Sequence, residues 1–268
     1  MLSRADLLQA RDLAEQAARA AGIVLRDKLG GALEISHKGT VDLVTDADRA
    51  AEEAIVSLVR QTYPDHDILA EEQDYGRRDS ICRWIVDPLD GTTNYAHGFP
   101  WFAVSIALEV QGEVACGVVY QPCSDELFSA VKGQGAFLNN RPLQVSTIGS
   151  LDQALLATGF PYDRKSCETN NYDHFIHFQQ VAQACRRPGV ASLDLASVAA
   201  GRFDGYWEMK LKPWDVAAGL LLVLEAGGQV TDFDGSQADI YAPRILASNG
   251  RLHSGMQDIL RLGKVPGC

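Results

Sequence analysis

The 268-residue chain carries 24 basic and 35 acidic side chains, a net charge of −11, and 46% of its residues are apolar. That length suits one large domain or two closely packed halves, with enough apolar material for a sizeable core. The acidic balance, with no Lys/Arg run longer than two, argues against a duplex-binding face, and no apolar run reaches the ~18 residues of a membrane span.

The first residues, Met1-Leu2-Ser3-Arg4-Ala5-Asp6, lack a basic start followed by an apolar stretch, so no signal peptide is expected. Residues 4–29 have helical apolar spacing at Leu13, Ala17, Ala21, Val24 and Leu25. Ser3 suits the N-cap, and Gly30-Gly31 suits the stop. Lys38-Gly39-Thr40-Val41-Asp42-Leu43-Val44-Thr45 reads as a loop or short strand. A second helix is predicted from about Asp46 to Tyr63, ended by Pro64. Ile68-Leu69-Ala70 is a short buried strand running into Glu71-Glu72, and 73–80 is a polar loop.

Trp84-Ile85-Val86 is a second buried strand leading into Asp87-Pro88-Leu89-Asp90-Gly91-Thr92. From Phe102 to about Val145 the pattern is β, with turns at Gln111-Gly112, Lys132 to Gly135, and Asn139-Asn140. Beyond residue 150 we expect strand 154–158, helix 171–185, helix 192–200, strand 205–209, helix 214–226, strand 245–248 and helix 254–262. Alternating helices and strands around an antiparallel meander imply an α+β fold, layered as an α-β-α-β-α sandwich. No linker or repeat is visible. The expectation is a single domain over 1–268, with subregions of about 1–148 and 149–268. The six cysteines (Cys82, Cys116, Cys123, Cys167, Cys185, Cys268) form no C-x-x-C. They read as free thiols of a reducing compartment, so a soluble, cytoplasmic protein is expected.

Three acidic sites border strongly apolar elements. In Asp87-Pro88-Leu89-Asp90-Gly91, a tight turn set by Pro88 and Asp-Gly is expected to aim two carboxylates and the Leu89 carbonyl at one point. That hub suits Mg²⁺, which takes oxygen ligands. The N–H groups of Gly91 and Thr92 could hold a phosphate if a helix turn begins there. Glu71 follows the strand before, and Asp215 of Lys212-Pro213-Trp214-Asp215 sits in the first turn of an apolar helix. Each has a plain alternative: an ordinary turn, a solvated Glu71-Glu72 pair, a helix-start acid. Their coincidence favours a site, because two adjacent divalent ions need shared carboxylates.

Taken together, Asp42-Leu43-Val44-Thr45-Asp46-Ala47-Asp48, Ala70-Glu71-Glu72, Trp84 to Tyr95, Pro100 to Ser105, and Trp214 to Gly219 resemble the inositol monophosphatase family, part of the Mg²⁺-dependent, Li⁺-sensitive sugar-phosphatase superfamily. The resemblance spans about residues 5–262. It implies the sugar-phosphatase fold and hydrolysis of a small phosphate monoester, inositol monophosphate first among candidates, with two to three Mg²⁺ per site. By resemblance, Glu71, Asp87 and the Leu89 carbonyl match the first metal's ligands, and Asp87, Asp90 and Asp215 the second's. Glu71 is also matched to a third, weaker site through water. Thr92 and Asp48 match the pair that orients and deprotonates the attacking water. Gly91 and Thr92 match the phosphate-holding N–H groups, and Glu208 and the Ala191 N–H match contacts to the leaving alcohol. Lys212 and Asp194 are weaker candidates for that pocket. Ala70 stands where glycine is common, and Val190 where a small hydroxyl residue is usual, which bears on the alcohol pocket.

Several residues are set aside. His174 and His177 read as a solvated helix face and His97 as a loop residue. Gly133-Gln134-Gly135 reads as a hairpin turn rather than a nucleotide loop, and Cys123 has no basic partner nearby in sequence. The resemblance leaves histidinol phosphate, other sugar phosphates and nucleotide monoesters open as substrates. A regulatory binding protein on the same fold is the alternative from another class. Membrane and nucleic acid are not expected as partners. A homodimer is within what the resemblance implies.

Overall fold

The computed structural model describes residues 2–31, 35–37, 43–242 and 244–265. Lys38 to Asp42 and Cys268 lie outside them. The first part of the chain forms α1 (Arg4–Lys28), β1 (Ile35–His37), β2 (Leu43–Thr45), α2 (Asp46–Thr62), β3 (Asp67–Ala70), β4 (Cys82–Asp90), α3 (Thr92–Ala96), β5 (Ala103–Val110), β6 (Glu113–Gln121), β7 (Glu126–Val131), β8 (Ala136–Leu138) and β9 (Arg141–Pro142). The rest forms β10 (Leu155–Thr158), α4 (Tyr172–Val181), β11 (Ala184–Arg186), α5 (Ala191–Ala199), β12 (Gly205–Met209), α6 (Pro213–Glu225), β13 (Gln229–Thr231), β14 (Arg244–Ser248) and α7 (His253–Leu260).

Strands β3 to β9 build a seven-stranded sheet in sequence order, and a five-stranded sheet runs β11-β10-β12-β14-β13. Helices α1 and α2 cover the outer face of the first sheet. Their shared core includes Leu13, Leu25, Ile55, Trp84 and Val86. Helices α5 and α6 pack together between the sheets, around Ile85, Leu195, Val216 and Ile245. Helices α4 and α7 cover the far face of the second sheet around Phe178, Trp207 and Met256. The order is therefore α-β-α-β-α, the layering expected. Each amphipathic element buries its apolar side against a sheet, and α6, apolar all round, takes the middle layer.

Both long helices begin as expected. Ser3 and Asp6 form a capping box on α1, and Thr45 and Asp48 form one on α2. Differences appear where elements are short. The helix expected over 171–185 stops at Val181, and β11 follows. The three-residue β13 was likewise not expected. His174 does not lie on a solvated face: its ring meets Phe233 edge-on at 5.6 Å, and burial lowers its pKa. In the turn at 133–135, the N–H groups of Gly133 and Gly135 each donate to the Glu225 carboxylate at 2.7 Å. The chain's own acid thus fills the anion-sized concavity there.

Candidate active site

The motif expected to be a tight turn is instead strand. β4 continues through Asp90, and the bend falls at Gly91, whose φ is +96°. Side chains alternate faces along a strand, so Asp87 and Asp90, three apart, should point to opposite sides. A bulge changes this. Asp87 pairs with Ser105, and Asp90 pairs with Ala103, with the register broken between them. One extra residue on β4 restores the parity, so both aspartates share the face turned toward α5 and α6. Pro88, which cannot donate to a ladder, sits inside that irregularity, where a central strand can tolerate it.

Around this bulge the chain closes a cleft of about 270 Å³. Glu71, Asp87, Leu89, Asp90, Gly91, Thr92, Ala191, Glu208, Lys212 and Asp215 all line it. Glu71 arrives from the end of β3, its N–H donating to Val86 O at 3.2 Å. The loop after it is held by the fully buried Glu52, which accepts from the Glu72 N–H at 2.9 Å and the Tyr75 hydroxyl at 3.0 Å. Sequence reasoning missed Glu52; an acid facing the core of an amphipathic helix was the available signal. Asp90 accepts from the Ser192 N–H at 2.7 Å, which fastens β4 to the start of α5. Asp215 accepts from the Lys212 N–H at 2.7 Å as the first-turn acid of α6.

Asp48 lies just behind the cleft and is almost fully buried. The Thr45 N–H and hydroxyl, at 2.8 and 2.6 Å, hold one of its oxygens. The other lies 3.3 Å from the Thr92 hydroxyl, which is also 3.1 Å from Leu89 O. Val190 does not itself line the cleft. Its side chain is buried under Gly91, where an added Cβ would stand 2.7 Å from Val190 Cγ2. Asp194 is not part of the cleft wall: it is buried beneath it, with Oδ1 lacking a hydrogen-bond partner. Arg187, which sequence reasoning did not single out, also lines the cleft, and its charge partly opposes the upward pKa shift that burial gives Glu208 and Asp194.

Electrostatics mark the cleft as a place for cations. Burial first, then the charges of Glu71, Asp90 and Asp215, hold the Asp87 carboxyl well above its ordinary range. Burial, then Asp90, does the same to Asp215. Burial pushes Asp90 up to about 6, Asp48 to about 6 and Glu208 to about 7. Like charges gathered out of water are unfavourable unless they are protonated or met by positive charge. The donors are all oxygen, which suits a hard divalent ion. Among the described residues no three His, Cys, Asp or Glu side chains form a closed ion-holding group as they stand. The fit therefore rests on the shared cleft and mutual repulsion, not on ligand distances.

The sequence matches the inositol monophosphatase family over residues 6–261. The chain belongs to that family. Family members are metal-dependent and act on small phosphorylated substrates, and this chain is a phosphoric monoester hydrolase by that membership. An inositol-1-monophosphatase of Synechocystis is 47% identical over 262 residues, 97% of this chain and 91% of that protein. The Nus factor SuhB of Escherichia coli is 45% identical over 248 residues, 91% of this chain and 93% of that one. The solved inositol monophosphatase from Anabaena is 44% identical and superposes with a TM-score of 0.90, covering 98% of this chain and all of that one. Among the described residues no helix is long and apolar enough to cross a membrane.

Proposed function

We propose that the chain hydrolyses a phosphate monoester of a small polyol, inositol monophosphate first among candidates, with two to three Mg²⁺ ions per site. The observation that carries this reading is the buried acidic cleft, in which Glu71, Asp87, Asp90 and Asp215 stand within one another's field. In this reading Glu71, Asp87 and the Leu89 carbonyl hold one ion, and Asp87, Asp90 and Asp215 a second. Such ions supply neutralisation of the phosphate oxygens and the leaving alkoxide, and make water more acidic.

The chain's own groups do the rest. The N–H groups of Gly91 and Thr92, at the start of α3, orient the phosphate. The Thr92 hydroxyl fixes the attacking water, and Asp48 accepts its proton. An acid with a pKa of about 6 is matched to that task near neutral pH. The Ala191 N–H and Glu208 meet the departing alcohol, where a carboxylate can accept from neighbouring hydroxyls. We also propose that the chain acts as one domain whose two subregions meet at this cleft, in a cytoplasmic setting.

A regulatory role is the second reading, supported by the 45% identity to proteins called Nus factor SuhB. The full set of acids in the cleft favours catalysis. The test is phosphate release from a panel comprising inositol 1-phosphate, histidinol phosphate, fructose 1,6-bisphosphate and 2′-AMP, with Mg²⁺ and then with EDTA. We expect the highest kcat/KM on inositol 1-phosphate and no release with EDTA. Release that survives the chelator would overturn the metal-dependent mechanism. Failure on every ester would leave the binding role standing.

A further inference from the structure

We propose that Gly159 is a specificity-determining position, because a bare backbone there is what allows Glu208 to present its carboxylate to the leaving alcohol. The inference rests on the function proposed above and extends it to a residue outside the acidic motifs.

β10 and β12 run parallel, with Thr158 opposite Trp207. One step further along, Gly159 faces Glu208, and both line the cleft. A Cβ at Gly159 would overlap Oε1, Cδ and Oε2 of Glu208 at once. Any side chain at 159 and the carboxylate in its present place are therefore mutually exclusive. Gly159 is not among the glycines with a left-handed backbone. Its need is for space, so alanine would not strain the chain itself.

The strands cannot relieve the overlap by parting. Asn171, buried at the start of α4, donates to Gly159 O at 2.6 Å and to the Thr158 hydroxyl at 2.9 Å. Its own Oδ1 accepts from Trp207 Nε1 at 2.9 Å. The Thr158 hydroxyl in turn donates to Trp207 O. This buried network ties the ends of β10 and β12 together, and breaking it would leave polar groups unpaired in the core. The movable partner is the Glu208 carboxyl group.

One oxygen of Glu208 is also held, by the hydroxyl of the buried Tyr206, which donates to Oε2. Oε1 thus keeps its acceptor sites for the alcohol. The arrangement selects esters whose leaving group carries hydroxyls and does nothing for an aryl phosphate that has none.

The experiment compares kcat/KM for inositol 1-phosphate and p-nitrophenyl phosphate, with Mg²⁺, in the unaltered chain, G159A, E208Q and the double variant G159A/E208D. One hydrogen bond to a charged acceptor is worth about 10- to 100-fold. The inositol-to-aryl selectivity of G159A should fall by about that factor, mainly through KM, and E208Q should match it. Shortening the acid withdraws it from the new methyl group, so the double variant should regain several-fold of the selectivity that G159A loses. A selectivity within about twofold of the unaltered chain in G159A would overturn the proposal. So would a G159A that fails to fold and is not restored by the shorter acid. Hydrolysis of neither ester by the unaltered chain would instead remove the proposed function on which the inference stands.

Discussion

Asp90 illustrates what a buried acid contributes and what it costs. Its carboxyl faces the cleft, accepts from the Ser192 N–H, and has its pKa pushed up to about 6 by burial. Asparagine has the same shape and can keep one carbonyl acceptor for Ser192, but it carries no charge. D90N should therefore lower kcat by at least about 100-fold, the scale of losing a preorganised electrostatic contact. Stability should move the other way. The folded pKa lies above the ordinary 3.8, so the ionised group is disfavoured in the folded chain, and stability falls as pH rises from about 4 through about 6. Asn removes that loss. Without added metal at pH 7.5, D90N should melt at the same temperature as the unaltered chain or higher. Calorimetry alongside phosphate release checks both, and a marked drop in Tm would show that Asp90 is structural.

At the scale of elements, Gly91 is the hinge between β4 and α3. Its φ of +96° disfavours any side chain, and a Cβ would also press Val190 Cγ2 at the head of α5. The left-handed conformation alone costs about 1–2 kcal/mol for a non-glycine residue. G91A should lower Tm by several degrees and cut kcat/KM, because the turn aims the Thr92 N–H and hydroxyl. Adding V190A should restore part of the stability but not the activity, since it relieves the contact and not the dihedral. This hinge also shows what was legible in the sequence and what was not. The long helices α1 and α2 could be read from apolar period and capping residues, because both signals are local. The acids Asp87 and Asp90 could be read as a pair, but their geometry was misplaced. A bulge depends on the partner strand β5, and nothing within β4 encodes the register of Ser105 and Ala103. β11 and β13, three residues each, are too short to carry a period. The Gly159–Glu208 fit was silent, because it joins residues 49 positions apart through a space that neither residue type announces.

For the whole molecule, the position of the cleft matters more than its contents. Its walls come from both sheets and the helical layer between them: β4 and α3 on one side, β12 on the other, with the starts of α5 and α6 between. A cation held there would bind the folded chain only, since the unfolded chain scatters Glu71, Asp87, Asp90 and Asp215. Folding and binding are then linked, and at 100 times its Kd an ion adds about 2.7 kcal/mol. Mg²⁺ should raise Tm by several degrees at pH 8, and EDTA should return it. The sign with pH follows from the same raised pKa values. Below about 6 the Asp90 carboxyl is protonated, with Asp87 and Asp215 also held above their ordinary range, so a proton must leave before an ion can enter. Each pH unit below that point weakens binding by about 1.4 kcal/mol per displaced proton. The proton on Asp90 alone takes away about half of that stabilisation at pH 5, so the Mg²⁺-induced rise in Tm should be about half as large there as at pH 8, or less, measured by scanning fluorimetry across a Mg²⁺ titration at both pH values. An equal rise at pH 5 and pH 8 would mean that the ions stabilise the acidic surface in general and not this cleft.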